Sequence, residues 1–262
     1  MSDNESDGDH VYVFSLATVP DVEAYAAINN LDGMSADDVR EALGDKSEKP
    51  VYHAIVALGG VLAHRAGAAS DEDGDDASRG PWAVSSVAVS SVAHESEEEI
   101  VTGFADCVSA LKPRLFTFDG TGFDITVLRY RGIAHHVRAH FLFAPEGSPD
   151  AIVDIGRLCA AGGGGKKRLH TLCREMGIRR GRDVFGWDGG DPIDAETLYR
   201  SGRVDQLVRR CERDSIDAYR LWLRHQLSNG HLSEPDFWAS EEALRRYVTA
   251  LEAGRASLPQ VA

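Results

Sequence analysis

Asp124 and Asp214 are the carboxylates whose positions offer chemistry. Asp124 follows Leu115-Phe116-Thr117-Phe118, a short, apolar, β-prone run, and the break Asp119-Gly120-Thr121-Gly122. Ile125, Leu128 and Arg129 then take up a helical spacing, so the acid stands where a strand hands over to a helix. Open α/β sheets place ligands at such strand ends, while capping the helix is the alternative role for Asp124. Asp214 falls in the helical stretch 204–227, in one row with Leu207, Cys211, Ala218 and Leu221. A carboxylate in an apolar row needs a partner, and the candidates are a metal ion or Arg210, one turn earlier on the same side.

The elements that must position these acids follow from patterning. Residues 10–19 read as a buried strand ended by Pro20-Asp21, and helical stretches 22–30 and 35–43 follow, the second with Ser35 and Asp38 spaced as a capping-box variant. Strands at 51–62 and 82–92 form a hairpin whose tip is extended by an acidic loop, residues 65–80. A helix at 97–111 carries Ile100, Phe104, Cys107, Val108 and Leu111 on one face and leads to the strand before Asp124. The helix after Asp124 ends near residue 135, and residues 140–143 read as a further strand. From residue 151 the pattern is helical, with stretches at 152–160, 167–176, 195–199, 204–227 and 241–251. Strands first, helices later and one crossover between them imply a mixed sheet flanked by helices.

At 262 residues and 43% hydrophobic content the chain can bury a full core. Cys107, Cys159, Cys173 and Cys211 show no CxxC spacing and no signal peptide precedes them, so they read as reduced, buried thiols of a cytoplasmic protein. The longest apolar run, 54–63, is too short for a membrane span. The formal charge is −14, but Asp3, Glu5, Asp7 and Asp9 in the tail and Asp71, Glu72, Asp73, Asp75 and Asp76 in the loop supply nine of the 42 acids. The remaining 33 acids face 28 bases. Within that body, residues 166–182 carry Lys166, Lys167, Arg168, Arg174, Arg179, Arg180 and Arg182 against Glu175 alone, a run that suits a phosphate backbone or a solvated helix face.

The order VFSLATVPD, a hairpin, LFTFDGTGFDITVLRYR, VDIGRLC and RRCERDSIDAYRLWLRHQL resembles the predicted 3′–5′ exonucleases related to the proofreading domain of family B DNA polymerases, within the ribonuclease H-like DEDD exonucleases. The resemblance spans residues 11–232 and implies an α/β, ribonuclease H-like mixed sheet, with an acidic tail at 1–10 before it and a helical C-terminal extension at 233–262. It further implies phosphodiester hydrolysis by two divalent metals, Mg²⁺ or Mn²⁺, held by an Asp-x-Glu pair, an Asp after an Asn-x-x-x-Phe segment, and a Tyr-x-x-x-Asp. Asp124 and Asp214 stand at the last two aspartates. Ser15 and Ala17 stand at the Asp-x-Glu pair, Asp119 at the Asn and Arg210 at the Tyr.

A hydroxyl and a methyl cannot neutralise two divalent cations, so the expectation is a pseudo-exonuclease that binds single-stranded nucleic acid or a protein partner without cutting and needs no cofactor. Arg210 beside Asp214 would supply the positive charge a metal would bring. Two alternatives stand beside it: an active nuclease with a relocated site drawing on Asp119, Asp124, Asp214 and Asp21 or Glu212, and a scaffold whose acidic tail and loop meet a basic partner. Gly162 to Gly165 before Lys166-Lys167 reads as a hinge, since Lys167 replaces the Ser or Thr of a phosphate loop. His135, His136, His140 and His170 lack metal-site spacing, and Trp187, Trp222 and Trp238 read as packing residues.

Overall fold

The computed structural model of the chain describes residues 10–66, 80–118, 120, 122–145, 147–148, 151–160, 168–178 and 194–256. Among these residues five strands, β1 (His10–Pro20), β2 (His53–Arg65), β3 (Trp82–Ser91), β4 (Arg114–Thr117) and β5 (Val153–Asp154), form one sheet in the order β3-β2-β1-β4-β5. β1 pairs antiparallel with β2, and β2 with β3, as the expected long hairpin. β4 runs parallel to β1, and β5 parallel to β4. The helices are α1 (Val22–Ile28), α2 (Ala36–Leu43), α3 (Glu97–Leu111), α4 (Asp124–Ala134), α5 (Ile155–Ala160), α6 (Leu169–Glu175), α7 (Ala195–Arg200), α8 (Val204–Ser228) and α9 (Glu234–Ala256).

Alternation along β1 decides which layer covers which face. Val11 and Val13 pack with Ile216, Trp222 and Leu244 of α8 and α9, and Ala17 with Leu207 and Cys211 of α8. Tyr12, Phe14 and Leu16 point the other way, to Ile100 and Phe104 of α3 and Leu128 of α4. Local signals start the helices where the sequence places them. Ser96 and Glu99 make a full capping box for α3, and for α2 Ser35 Oγ accepts from Asp38 N–H at 3.2 Å and donates to Asp38 Oδ2 at 2.6 Å.

Four expectations need correction. Residues 140–143 form a 3₁₀ turn instead of a strand, because the free edge of β4 is taken by β5 and Phe141 and Leu142 bury against the α3–α4 core. Within 152–160, Val153 and Asp154 pair with β4 before the helix starts at Ile155, a strand too short to leave a sequence signal. Only Cys173 and Cys211 are buried, whereas Cys107 and Cys159 are partly open to solvent. Trp238 is 60% exposed and lies edge-on against the buried Phe237.

α9 extends beyond the expected stretch 241–251 at both ends and packs into the same core, with Leu244 and Val248 fully buried. Two ion pairs tie it to α8: Arg220 Nε to Glu241 Oε2 at 3.0 Å, and Arg255 to both oxygens of Glu212 at 3.0 and 2.8 Å. Trp82 N–H donates to Ser240 Oγ at 2.8 Å and joins α9 to β3.

α8 approaches the sheet closely at Gly59 of β2. A Cβ there would meet Val89 Cγ2 at 2.9 Å, Cys211 Sγ at 3.1 Å and Ser215 Oγ at 3.2 Å. Gly59→Ala is expected to cost about 1–3 kcal/mol by overpacking. Gly103→Ala, in α3 with nothing within 4 Å of the new Cβ, is expected to add about 0.5–1 kcal/mol. Urea denaturation of the two variants against the parent measures both signs.

Candidate functional site

β4 pairs with β1 only from Val11↔Arg114 to Val13↔Phe116. β1 therefore runs on past the end of β4, and Ser15 and Ala17 lie beside the turn that leads into α4. That turn folds back on its strand, because a Cβ on Gly120 would stand 2.5 Å from Thr117 Oγ1 and Ile125 N–H donates to Gly120 O at 2.9 Å. Asp124 is the first residue of α4, at the carboxyl end of β4 as expected, and the helix cap is Phe123. A register shift between Ala17 and Thr18 leaves Val56 of β2 as an extra residue at this point, the kind of bulge that re-aims side chains near sites.

α8 brings the other half. Cys211 Sγ donates to Ser15 O at 3.3 Å, so this helix touches the strand at the position expected for a missing acid. Burial pushes the Cys211 thiol pKa up, Asp214 adds to the rise, the Gly59 N–H opposes it, Asp124 adds further and Arg210 opposes. One thiol thus feels both retained acids and the arginine, and Ser15, Ala17, Asp124, Arg210, Cys211 and Asp214 form one neighbourhood around the carboxyl end of β1 and β4. Arg210 Nε lies 3.6 Å from Asp214 Oδ2, with the two side chains 27% and 25% exposed. Asp214 is half-buried instead of buried, because three residues after Cys211 it has turned about 60° off the line facing the sheet. Arg210 also lies near Asp194, the cap of α7, whose carboxyl is held below its ordinary value by the Thr197 side chain and backbone, with a smaller contribution from Arg210.

The sequence reading missed the cluster beneath this neighbourhood. Glu97, the first residue of α3, accepts from Ile55 N–H at 2.6 Å, from Arg131 Nε at 2.7 Å and from Arg131 Nη2, and its Oε2 lies 3.0 Å from His135 Nε2. Arg131 Nη1 also donates to Asp21 Oδ2 at 3.2 Å, while Asp21 Oδ1 caps α1 through Ala24 N–H at 3.0 Å. Burial pulls the Arg131 pKa down, but the hydrogen bonds and charges of Glu97 and Asp21 outweigh it and leave it raised. This network joins the end of β1, the start of α3 and the body of α4, and so fixes the helix that carries Asp124. Asp154, at the end of β5, was also missed; it is buried and accepts from Gly156 and Arg157 N–H at 2.9 and 3.3 Å.

Of the acids considered for a relocated site, Asp21 is committed to Arg131 and its helix cap, and Glu212 is 3% exposed and clamped by Arg255. Asp119, Lys166, Lys167, Arg179, Arg180, Arg182 and Trp187 lie outside the described residues. Arg168 is exposed at the start of α6.

The family described as predicted 3'-5' exonuclease related to the exonuclease domain of PolB matches residues 76–260. The chain belongs to this family. No curated protein matches it. The match covers β3, Asp124, Arg210, Asp214 and α9, and it begins after β1, so Ser15 and Ala17 precede it. The exonuclease-like domain has the α/β, mixed-sheet architecture of the ribonuclease H-like class. Among the described residues the donor set around Asp124 and Asp214 does not fit a pair of divalent cations: Ser15 and Ala17 bring no carboxylate, and Arg210 is paired with Asp214. Among the described residues no group of three or more His, Cys, Asp or Glu side chains is placed to hold a metal ion. Nor is any helix among them long and apolar enough to cross a membrane.

Two outcomes follow. Arg131→Ala leaves Glu97 and Asp21 without their cation and is expected to cost about 3 kcal/mol in urea denaturation. Ellman's reagent at mildly alkaline pH is expected to spare Cys211 and Cys173 in the folded chain and to reach all four thiols in concentrated guanidinium chloride. Since the folded Cys211 pKa lies above the unfolded value of about 8.5, its contribution to stability is intact below that pH and is lost as pH rises beyond it.

Proposed function

We propose that this exonuclease-like domain is a pseudo-exonuclease that holds a single nucleic-acid strand without hydrolysing it. The observation that carries the reading is the Arg210–Asp214 pair at 3.6 Å, beside Ser15 and Ala17 on β1. Where two metals would gather phosphate oxygens, one planar guanidinium remains, and a guanidinium matches phosphate in charge and geometry. It binds phosphate but activates no water, so the chemistry stops at binding. The basic run 166–182 supports the same reading by composition.

The described residues that border the acidic segments lie away from this site. The tail ends at His10 and the loop leaves β2 after Arg65, and His10 pairs with His64, so both depart from the same end of the sheet. Ser15 is about 17 Å along β1 from His10. A basic protein partner that meets the acidic tail and loop is the second reading, from their composition. A cytoplasmic setting with reduced thiols belongs to the same proposal.

The test is incubation of 3′- and 5′-labelled single strands with Mg²⁺ or Mn²⁺, together with binding measured in EDTA across a salt series. The expected result is no cleavage, binding that persists in EDTA and weakens with salt by a slope of about −0.7 per phosphate contact, and weaker binding for Arg210→Ala. The variant Ser15→Asp, Ala17→Glu, Arg210→Tyr is expected to restore cutting from the 3′ end, once circular dichroism has verified its fold. Cleavage by the parent that disappears with Asp124→Ala would overturn the proposal in favour of a working metal site. Failure of the parent to bind any strand at low salt would leave the protein-partner reading.

A further inference from the structure

At the end of the sheet remote from Asp124 and Asp214, β1 and β2 place two histidines face to face. His10 and His64 are 54 positions apart in the sequence, and the antiparallel register makes them direct Cα partners. Their ring centroids are 6.0 Å apart with 39° between the ring planes. Two imidazoles that each reach a shared zinc ion at about 2.0–2.1 Å have centroids about 5–6 Å apart, and the observed separation falls at that range.

The rings are also prepared for that role. His64 Nδ1 lies 2.7 Å from Ser85 Oγ on the neighbouring strand β3, which orients the ring; in the tautomer whose Nδ1–H donates to that hydroxyl, Nε2 is left as the metal-binding nitrogen. A hydrogen bond at the second ring nitrogen is how metal-binding histidines have their tautomer and direction fixed, and here a serine hydroxyl takes the place of the more usual carboxylate or carbonyl. The nearest cation on β2, Arg65, is turned elsewhere: its guanidinium stacks 4.4 Å over the Trp82 ring and donates to Gly80 O at 2.6 Å.

We propose that His10 and His64 form a two-imidazole site for a borderline divalent transition metal, zinc or nickel, with water completing the coordination. The site is independent of the exonuclease-like centre. Imidazole selects zinc and nickel over magnesium, so the two locations differ in the ions they accept.

The experiment is calorimetric titration of the full, EDTA-stripped chain with Zn²⁺ in the presence of excess Mg²⁺. One equivalent is expected to bind, with loss of that binding in His10→Ala and in His64→Ala, at least about tenfold weakening in Ser85→Ala, and no change in the control His94→Ala. Thermal unfolding in EDTA verifies that each variant folds. Should His64→Ala disturb β2, His10→Ala at the first residue of β1 is the decisive variant. Retention of the full equivalent in a folded His10→Ala chain, displacement of Zn²⁺ by Mg²⁺, or no binding by the parent would overturn the proposal.

Discussion

Everything in the site depends on how closely α8 lies against β1 and β2. Gly59 offers no Cβ, so Cys211 and Ser215 sit directly over the strand and the Cys211 thiol reaches the carbonyl of Ser15. Leu207, Cys211 and Ala218 seal the face toward the sheet, which leaves Arg210 and Asp214 at the edge where the carboxyl ends of β1 and β4 open. A larger residue at the contact would displace the helix and separate its two charged residues from Asp124.

Charge balance is kept locally around this opening. Asp214 has Arg210, Glu97 and Asp21 share Arg131, and Glu212 has Arg255, so each of these four acids is paired with an arginine of the chain itself. Arginine suits that task because it remains charged when partly buried and bonds a carboxylate through two nitrogens. A member of a family described as predicted exonucleases thus holds these acids through internal guanidinium groups. Around Asp124 the described residues bring an arginine–carboxylate pair, Arg210 and Asp214, beside the uncharged Ser15 and Ala17. The far end of the sheet is chemically distinct, with the His10–His64 pair facing each other across β1 and β2.

Much of the architecture was legible in advance because it rests on periodicity. The β1 run, the β2–β3 hairpin, α3 from Glu97 to Leu111 and the long α8 all show apolar spacing sustained over many residues. The places where the reading failed carry little local signal. Val153 and Asp154 are a strand only because β4 offers them an edge, and residues 140–143 curl into a 3₁₀ turn because that edge is already occupied. The Glu97–Arg131–Asp21 network was hidden for a related reason: its members are separated by up to 110 residues, and no pattern on any single element marks them.

The sequence by itself determined the α/β class, the junction that puts Asp124 at the end of a strand, and the Arg210–Asp214 pair, since one helical turn fixes their proximity. Only the tertiary structure decided that β1 runs past β4, that Gly59 lets α8 settle onto Ser15, and that Asp21 and Glu212 are already committed to arginines. The physical reason is range. Hydrophobic period and helical spacing act within a few residues of each other, whereas register, close approach and the pairing of distant charges exist only once separate segments share a surface.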